Sequence, residues 1–181
     1  LKGAYNTVPG VLGMVLMLIC AMMTSISIVR EKEFGNMEVL LVSPLKPITI
    51  ILSKTVPYII LSFINFTTIL LLSVFVLKVP IAGSLGLIVL ISTIFIFVSL
   101  ALGLLISTLV NTQMVAMLIS GVVLMFPVIL LSGMIFPVES MGVFFQWLAK
   151  LLPANWYIAA IRKVMIQGLG ITSVAKEIII L

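Results

Sequence analysis

The chain of 181 residues contains no histidine, no aspartate and a single cysteine, Cys20. Without histidine there is no Ser-His catalytic pair and no H-E-x-x-H zinc site. Without aspartate there is no aspartyl dyad. One cysteine excludes an internal disulfide and a cysteine-rich metal site. Charge is also scarce: charged residues make up 8% of the chain, against about 25% in a typical soluble domain. A surface this poor in charge does not keep a compact globule in solution. A soluble enzyme, a disordered segment and a nucleic-acid-binding domain are therefore excluded. The ten basic residues outnumber the five acidic ones, but they gather near the ends of apolar runs and form no stripe that nucleic acid would need.

What the chain has instead is apolar length. Hydrophobic residues reach 63% and the mean hydropathy is +1.44. A helix crosses a bilayer with about 20 predominantly apolar residues. Four stretches meet this, at 8–29, 47–77, 85–110 and 114–136. Their apolar character is continuous rather than alternating, which argues against a β-barrel. The predicted fold is an all-α, polytopic integral membrane bundle.

The second stretch exceeds a bilayer crossing, so residues 47–54 are read as an interfacial lead-in and Thr55 to Leu77 as the span. Pro57 then falls near the first turn, where a missing N–H costs least, and Lys54 is expected to snorkel to the headgroups. Beyond Phe136 the pattern changes. Met141 to Leu152 is too short to cross, Pro153-Ala-Asn155 reads as a break, and Trp156 to Gly168 reads as an interfacial helix. Residues 137–170 are thus expected to form re-entrant or interfacial helices. A further helix is expected to start near Lys176, occupying 176–181. The sequence starts at Leu1 and stops within an apolar run, which reads as a piece of a longer protein.

Basic residues near helix ends mark the cytoplasmic side. Arg30, Lys32, Lys46 and Lys54 place the first connection in the cytoplasm. The segment after Phe136 is then outside by parity, although Lys150, Arg162, Lys163 and Lys176 count against that. Ser99, Gly103 and Ser107 form a small-residue stripe on the third helix, and Ala116 and Ser120 repeat the spacing on the fourth. Such stripes let helices approach closely, most simply within one chain, or else across a dimer. Pro127 is expected to kink the fourth helix.

The most informative segment is Arg30-Glu-Lys-Glu-Phe-Gly-Asn-Met-Glu-Val-Leu-Leu-Val-Ser-Pro44. Four consecutive charges leave the first span. Gly35 permits a sharp turn, Asn36 suits a helix N-cap and Glu38 a first turn. Met37, Leu40 and Leu41 share one helical face, and Ser43-Pro44 ends the element. A short amphipathic helix with a charged clasp suits docking into a groove on a soluble partner, or lying on the membrane surface.

This segment resembles the R-E-K-E-x-G-T-x-E-x-L-L-x-[ST]-P run in the membrane subunits of type-2 ATP-binding cassette exporters. Arg30, Glu31, Lys32, Glu33, Gly35, Glu38, Leu40, Leu41, Ser43 and Pro44 match it, and Asn36 stands where the family usually has threonine. Leu131-Ser-Gly-Met-Ile-Phe-Pro137 and Pro153-Ala-Asn-Trp-Tyr157, with Arg162 and Gly168, resemble the family's outer helical run. The resemblance implies a multi-pass permease of a bacterial or archaeal plasma membrane. It implies that residues 31–44 form a coupling helix that meets an ATPase subunit, with Arg30, Glu31, Glu33, Gly35, Asn36, Met37, Glu38, Leu40, Leu41, Ser43 and Pro44 as contacts. It also implies a second permease copy, membrane lipid around the spans, and ATP used by the partner rather than bound here. The chain itself holds no G-x-x-x-x-G-K-[ST] phosphate loop, and no metal ligand set is expected. The cargo is not legible. An ion-coupled transporter is disfavoured because no span has an ionisable group at its centre. A membrane-anchored scaffold is the other alternative.

Overall fold

The computed structural model describes residues 2–36, 38, 42, 46–76, 82–131 and 142–181, without the side chains of 2–6, 47 and 131. Every regular element among these residues is helical. Helix α1 is Lys2–Glu33, α2 is Pro47–Phe75 and α3 is Leu85–Leu109. A fourth rod follows in three pieces: α4 (Gln113–Leu118), a π-helical segment π1 (Ile119–Leu124) and α5 (Met125–Leu131). Three shorter helices close the chain, α6 (Val143–Leu151), α7 (Pro153–Met165) and α8 (Ile171–Ile180). Candidate membrane spans are Thr7–Glu33, Ile48–Phe75, Leu85–Leu109 and Gln113–Leu130.

Helix α1 is the axis of the bundle and touches α2, α3, α4, π1, α5 and α7. Its buried residues Leu12, Leu16, Cys20, Ala21 and Val29 recur at helical spacing and run nearly its whole length. Helix α3 packs beside it so closely that a Cβ on Gly103 would stand 2.5 Å from the Ala21 carbonyl oxygen. Ser99 and Ser107, on the same face of α3, are buried with it, as are Ala116 and Ser120 on the fourth rod. In lipid, where apolar side chains gain little from leaving the solvent, such close backbone approach is a main source of helix cohesion. By contrast α2 is peripheral. Ile48, Leu52, Val56, Ile60 and Leu72 are exposed along it, as suits a lipid-facing helix. It is held to α1 by the buried pair of Cys20 Sγ and Ser62 Oγ, 2.9 Å apart.

Several expectations are corrected. Helix α2 runs unbroken from Pro47, so Pro57 lies in its interior rather than its first turn. The ring removes one donor and leaves the Ser53 carbonyl without its helical partner. Residues 31–33 belong to α1, not to a separate helix: Arg30 and Lys32 occupy the last turn of α1, where the helix dipole favours cations. The break before the second short helix falls at Leu152, in extended backbone between α6 and α7, and Pro153-Ala-Asn155 forms the first turn of α7, where a missing N–H is harmless. The last helix begins at Ile171, not near Lys176. In the fourth rod, π1 ends three residues before Pro127, and such wide turns accommodate helix irregularity. Phe136 and the run up to Pro137 lie outside the described residues.

Helix α7 is the larger surprise. Tyr157, expected at the membrane interface, is fully buried. Its ring stacks on Phe95 at 4.1 Å and 10°, and its hydroxyl hydrogen-bonds with Ser92 at 2.9 Å. At the far end of α7 the Met165 carbonyl accepts from the Ala82 N–H at 3.0 Å. The two helices are therefore antiparallel, and Tyr157 sits about 10 Å down α3 from its start, at 1.5 Å per residue. Trp156 is half-buried, donating from its indole to the Lys150 carbonyl at 2.7 Å, while Asn155 donates to the Ala149 carbonyl at 2.6 Å. These bonds close the open carbonyl end of α6. Gly168, at φ 63°, turns the chain out of α7 in the left-handed conformation common at helix ends, and the Leu169 N–H reaches back to the Lys163 carbonyl at 3.2 Å.

Candidate coupling interface

The charges that leave α1 are four consecutive residues, Arg30 to Glu33. On a helix successive side chains diverge by about 100°, so four in a row cannot share a face. The structure sends three of them to three different helices. Glu31 Oε1 pairs with Lys54 Nζ of α2 at 2.6 Å. Lys32 Nζ donates to the Ser107 carbonyl near the end of α3. Glu33 Oε2 accepts from the Gln113 backbone N–H at 3.0 Å and from its side-chain amide at 2.9 Å, at the first residue of α4. Arg30 stays on its own strand of chain, its guanidinium 5.9 Å from the Phe34 ring centroid. One end of the axial helix is thereby tied to the same end of each other span.

These ties are polar and partly open to solvent. Exposed ion pairs contribute only about 0.2–1 kcal/mol. The apolar packing along α1 holds the bundle, and the polar ring sets how the helix ends are oriented. Among the described residues no group of metal-ligating side chains occurs.

Beyond Glu33 the chain turns. The Phe34 N–H bonds to the Arg30 carbonyl and the Gly35 N–H to the Lys32 carbonyl, both at 3.1 Å. Gly35 has φ 71°, a conformation that costs an L side chain roughly 1–2 kcal/mol. A Cβ there would meet nothing within 4 Å, so backbone geometry rather than crowding selects glycine. Asn36, Glu38 and Val42 carry helical backbone and are exposed. Met37, Leu40, Leu41, Ser43 and Pro44 lie outside the described residues.

Of the residues singled out in the sequence, the structure thus gathers Arg30, Glu31, Glu33, Gly35 and Asn36 at one end of the bundle. It keeps Ser99 and Gly103 higher on α3. The partners of the charges, Lys54, Gln113 and the Ser107 carbonyl, escaped sequence reasoning. From the sequence alone Lys54 reads as a headgroup anchor. The available signal was its sign, opposite to Glu31 and at the start of the returning helix.

The model of the ABC-2 type transporter family matches residues 2–166. The chain belongs to this family. Its relatives include the probable multidrug ABC transporter permease YbhS of Escherichia coli K12, 33% identical over 161 residues, which are 89% of this chain and 43% of that protein. YbhR of the same strain, also named a probable multidrug ABC transporter permease, is 35% identical over 160 residues, 88% of this chain and 43% of its own length. ABC transporter G family member 20 of Dictyostelium discoideum is 29% identical over 164 residues, 90% of this chain and 22% of that protein. The chain therefore spans less than half the length of these relatives. No solved structure matches it. As an ABC-2 family member with four apolar helices long enough to cross a bilayer, it is a multi-pass membrane protein of the permease type.

Proposed function

We propose that this chain forms the membrane path of an ATP-driven exporter and takes its driving force from a separate ATPase subunit docked at residues 31–44. The observation that carries this reading is the ring of ties at the end of α1. A push on the segment after Gly35 reaches α1 directly. Through Glu31, Lys32 and Glu33 it also reaches α2, α3 and the fourth rod. Because each tie is weak, the ring can break and re-form within a working cycle without unfolding the bundle. The moving element is a pair of permease copies whose equilibrium between two arrangements is shifted by ATP binding to the partner.

Arg30, Lys32, Lys46 and Lys54 favour the cytoplasmic side for the ring, where an ATPase would meet it. The bacterial relatives, both named probable multidrug ABC transporter permeases, fit an export role. Cysteine placement tests the reading. With Cys20 replaced, a single cysteine at Glu38 or Leu41 should crosslink to the ATPase subunit, and the yield should change with ATP. No crosslink in any nucleotide state, with both positions labelled only by membrane-embedded reagents, would turn the segment into a surface anchor and sink the proposal.

A further inference from the structure

A cavity of about 770 Å³ opens between the basic ends of α1 and α2. We propose that it binds the headgroup of an anionic phospholipid from the leaflet on that side. The inference stands on the cavity and its charges, and does not depend on the transport reading.

The volume falls within the range of about 300–1,000 Å³ typical of small-molecule sites. Its walls are of two kinds. Met23, Ile26 and Pro57 line an apolar part, whereas Arg30, Glu31 and Lys54 line a charged part. Met23 and Arg30 are two turns apart on α1, so the apolar wall reaches about 10 Å deeper into the span than the charged one. That is the layout of an amphiphile, polar at the membrane surface and apolar below. On its outer side α2 exposes Val56 and Ile60, where acyl chains would continue.

The sign of the charge selects the headgroup. Glu31 is the acidic residue among the described lining, and Lys54 holds it at 2.6 Å. Arg30 forms no ion pair among the described residues, and its guanidinium stands 5.9 Å from the Phe34 ring centroid. An arginine fork with free donors is matched to a phosphodiester, which it can grip through two parallel bonds. A cationic ligand would meet Arg30 and Lys54 together. Beside them Ser53, whose carbonyl Pro57 releases from the helix ladder, also lines the cavity. A free inorganic anion would leave the apolar wall unused.

The test is native mass spectrometry of the full chain in detergent, titrated with phosphatidylglycerol and with phosphatidylcholine of the same acyl chains. Phosphatidylglycerol should bind about tenfold more tightly, one such headgroup being held by a charge-assisted pair. Arg30→Gln should remove that preference and Arg30→Lys should keep part of it. Ile26→Trp, which fills the apolar wall, should weaken both lipids. Lys163→Gln, a cation at the opposite end of the bundle, should change neither. Equal affinity for the two lipids in the unaltered chain would overturn the proposal. So would an Arg30→Gln variant that retains the preference, or displacement of phosphatidylglycerol by millimolar inorganic phosphate, which would mark a soluble-anion site instead.

Discussion

Glu33 and Gln113 are 80 residues apart in sequence, yet one carboxylate oxygen of Glu33 accepts both the backbone and the side-chain N–H of Gln113, at 3.0 and 2.9 Å. The last residue of the first span thereby caps the first residue of the fourth. An anion placed on a helix N-terminus satisfies open N–H groups and meets the favourable end of the dipole. Glu33→Gln keeps one acceptor and removes the charge, whereas Glu33→Ala removes both. ATP-driven transport is expected to fall in the order unaltered chain, Glu33→Gln, Glu33→Ala, at equal membrane abundance. Gln113→Ala, which leaves the backbone N–H in place, should fall between the unaltered chain and Glu33→Ala. Indistinguishable transport in all four would show that the cap does not take part in coupling.

The Glu31–Lys54 pair gives a sharper test, because charge reversal can be undone. Each partner is partly exposed, with side-chain exposures of 21% and 37%. A coupling energy of about 0.2–1 kcal/mol is expected for such a pair. Glu31→Lys and Lys54→Glu should each lower transport, and the double exchange should recover roughly 1.4- to 5-fold of the product of the two losses. Strict additivity in the double-mutant cycle would mean the pair carries no signal between α1 and α2.

Gly103 tests the packing of the axis. Its missing Cβ is what lets α3 reach the Ala21 carbonyl, and an added Cβ would lie 2.5 Å from that oxygen and 3.0 Å from Ala21 Cα. Backbone atoms cannot move aside as a side-chain tip can. Gly103→Val is expected to destabilise the bundle by about 1–3 kcal/mol, as overpacking does, read as loss of thermal stability in detergent. Gly121→Ala is the matched control, since nothing lies within 4 Å of a Cβ there. Equal stability of both variants would contradict the close α1–α3 contact.

The reach of sequence reasoning follows physical lines. Long apolar runs announce membrane helices because bilayer thickness demands them, and the four stretches coincide in outline with the four candidate spans. Glycine at position 35 is legible because a turn after a charged helix end needs positive φ, and φ is 71° there. Tyr157 was not legible. A tyrosine beside Trp156 near basic residues matches an interfacial belt, but burial depends on which helix lies opposite, here Phe95 and Ser92 of α3. Pro153 misled for a related reason: proline breaks a helix from inside and starts one from its first turn. The direction of each charge in Arg30 to Glu33 was equally hidden. Helical spacing fixes their divergence, but only the arrangement of neighbours decides what each one meets.

Tyr157 separates stability from coupling. Its ring packs face to face with Phe95 and its hydroxyl has one partner, Ser92. Tyr157→Phe keeps the ring and removes the hydroxyl, so a loss of about 0.5–1.5 kcal/mol is expected, part of it the cost of leaving Ser92 unpaired. Tyr157→Ala empties a fully buried site and should cost about 3–5 kcal/mol. Both losses should appear in thermal stability in detergent. Coupling between ATP hydrolysis and transport should persist in Tyr157→Phe, because α7 meets the early part of α3, far from the Ser107 carbonyl that Lys32 holds. A Tyr157→Phe variant with unaltered stability but lost coupling would reverse this assignment. It would make the α7–α3 contact part of the moving machinery rather than its frame.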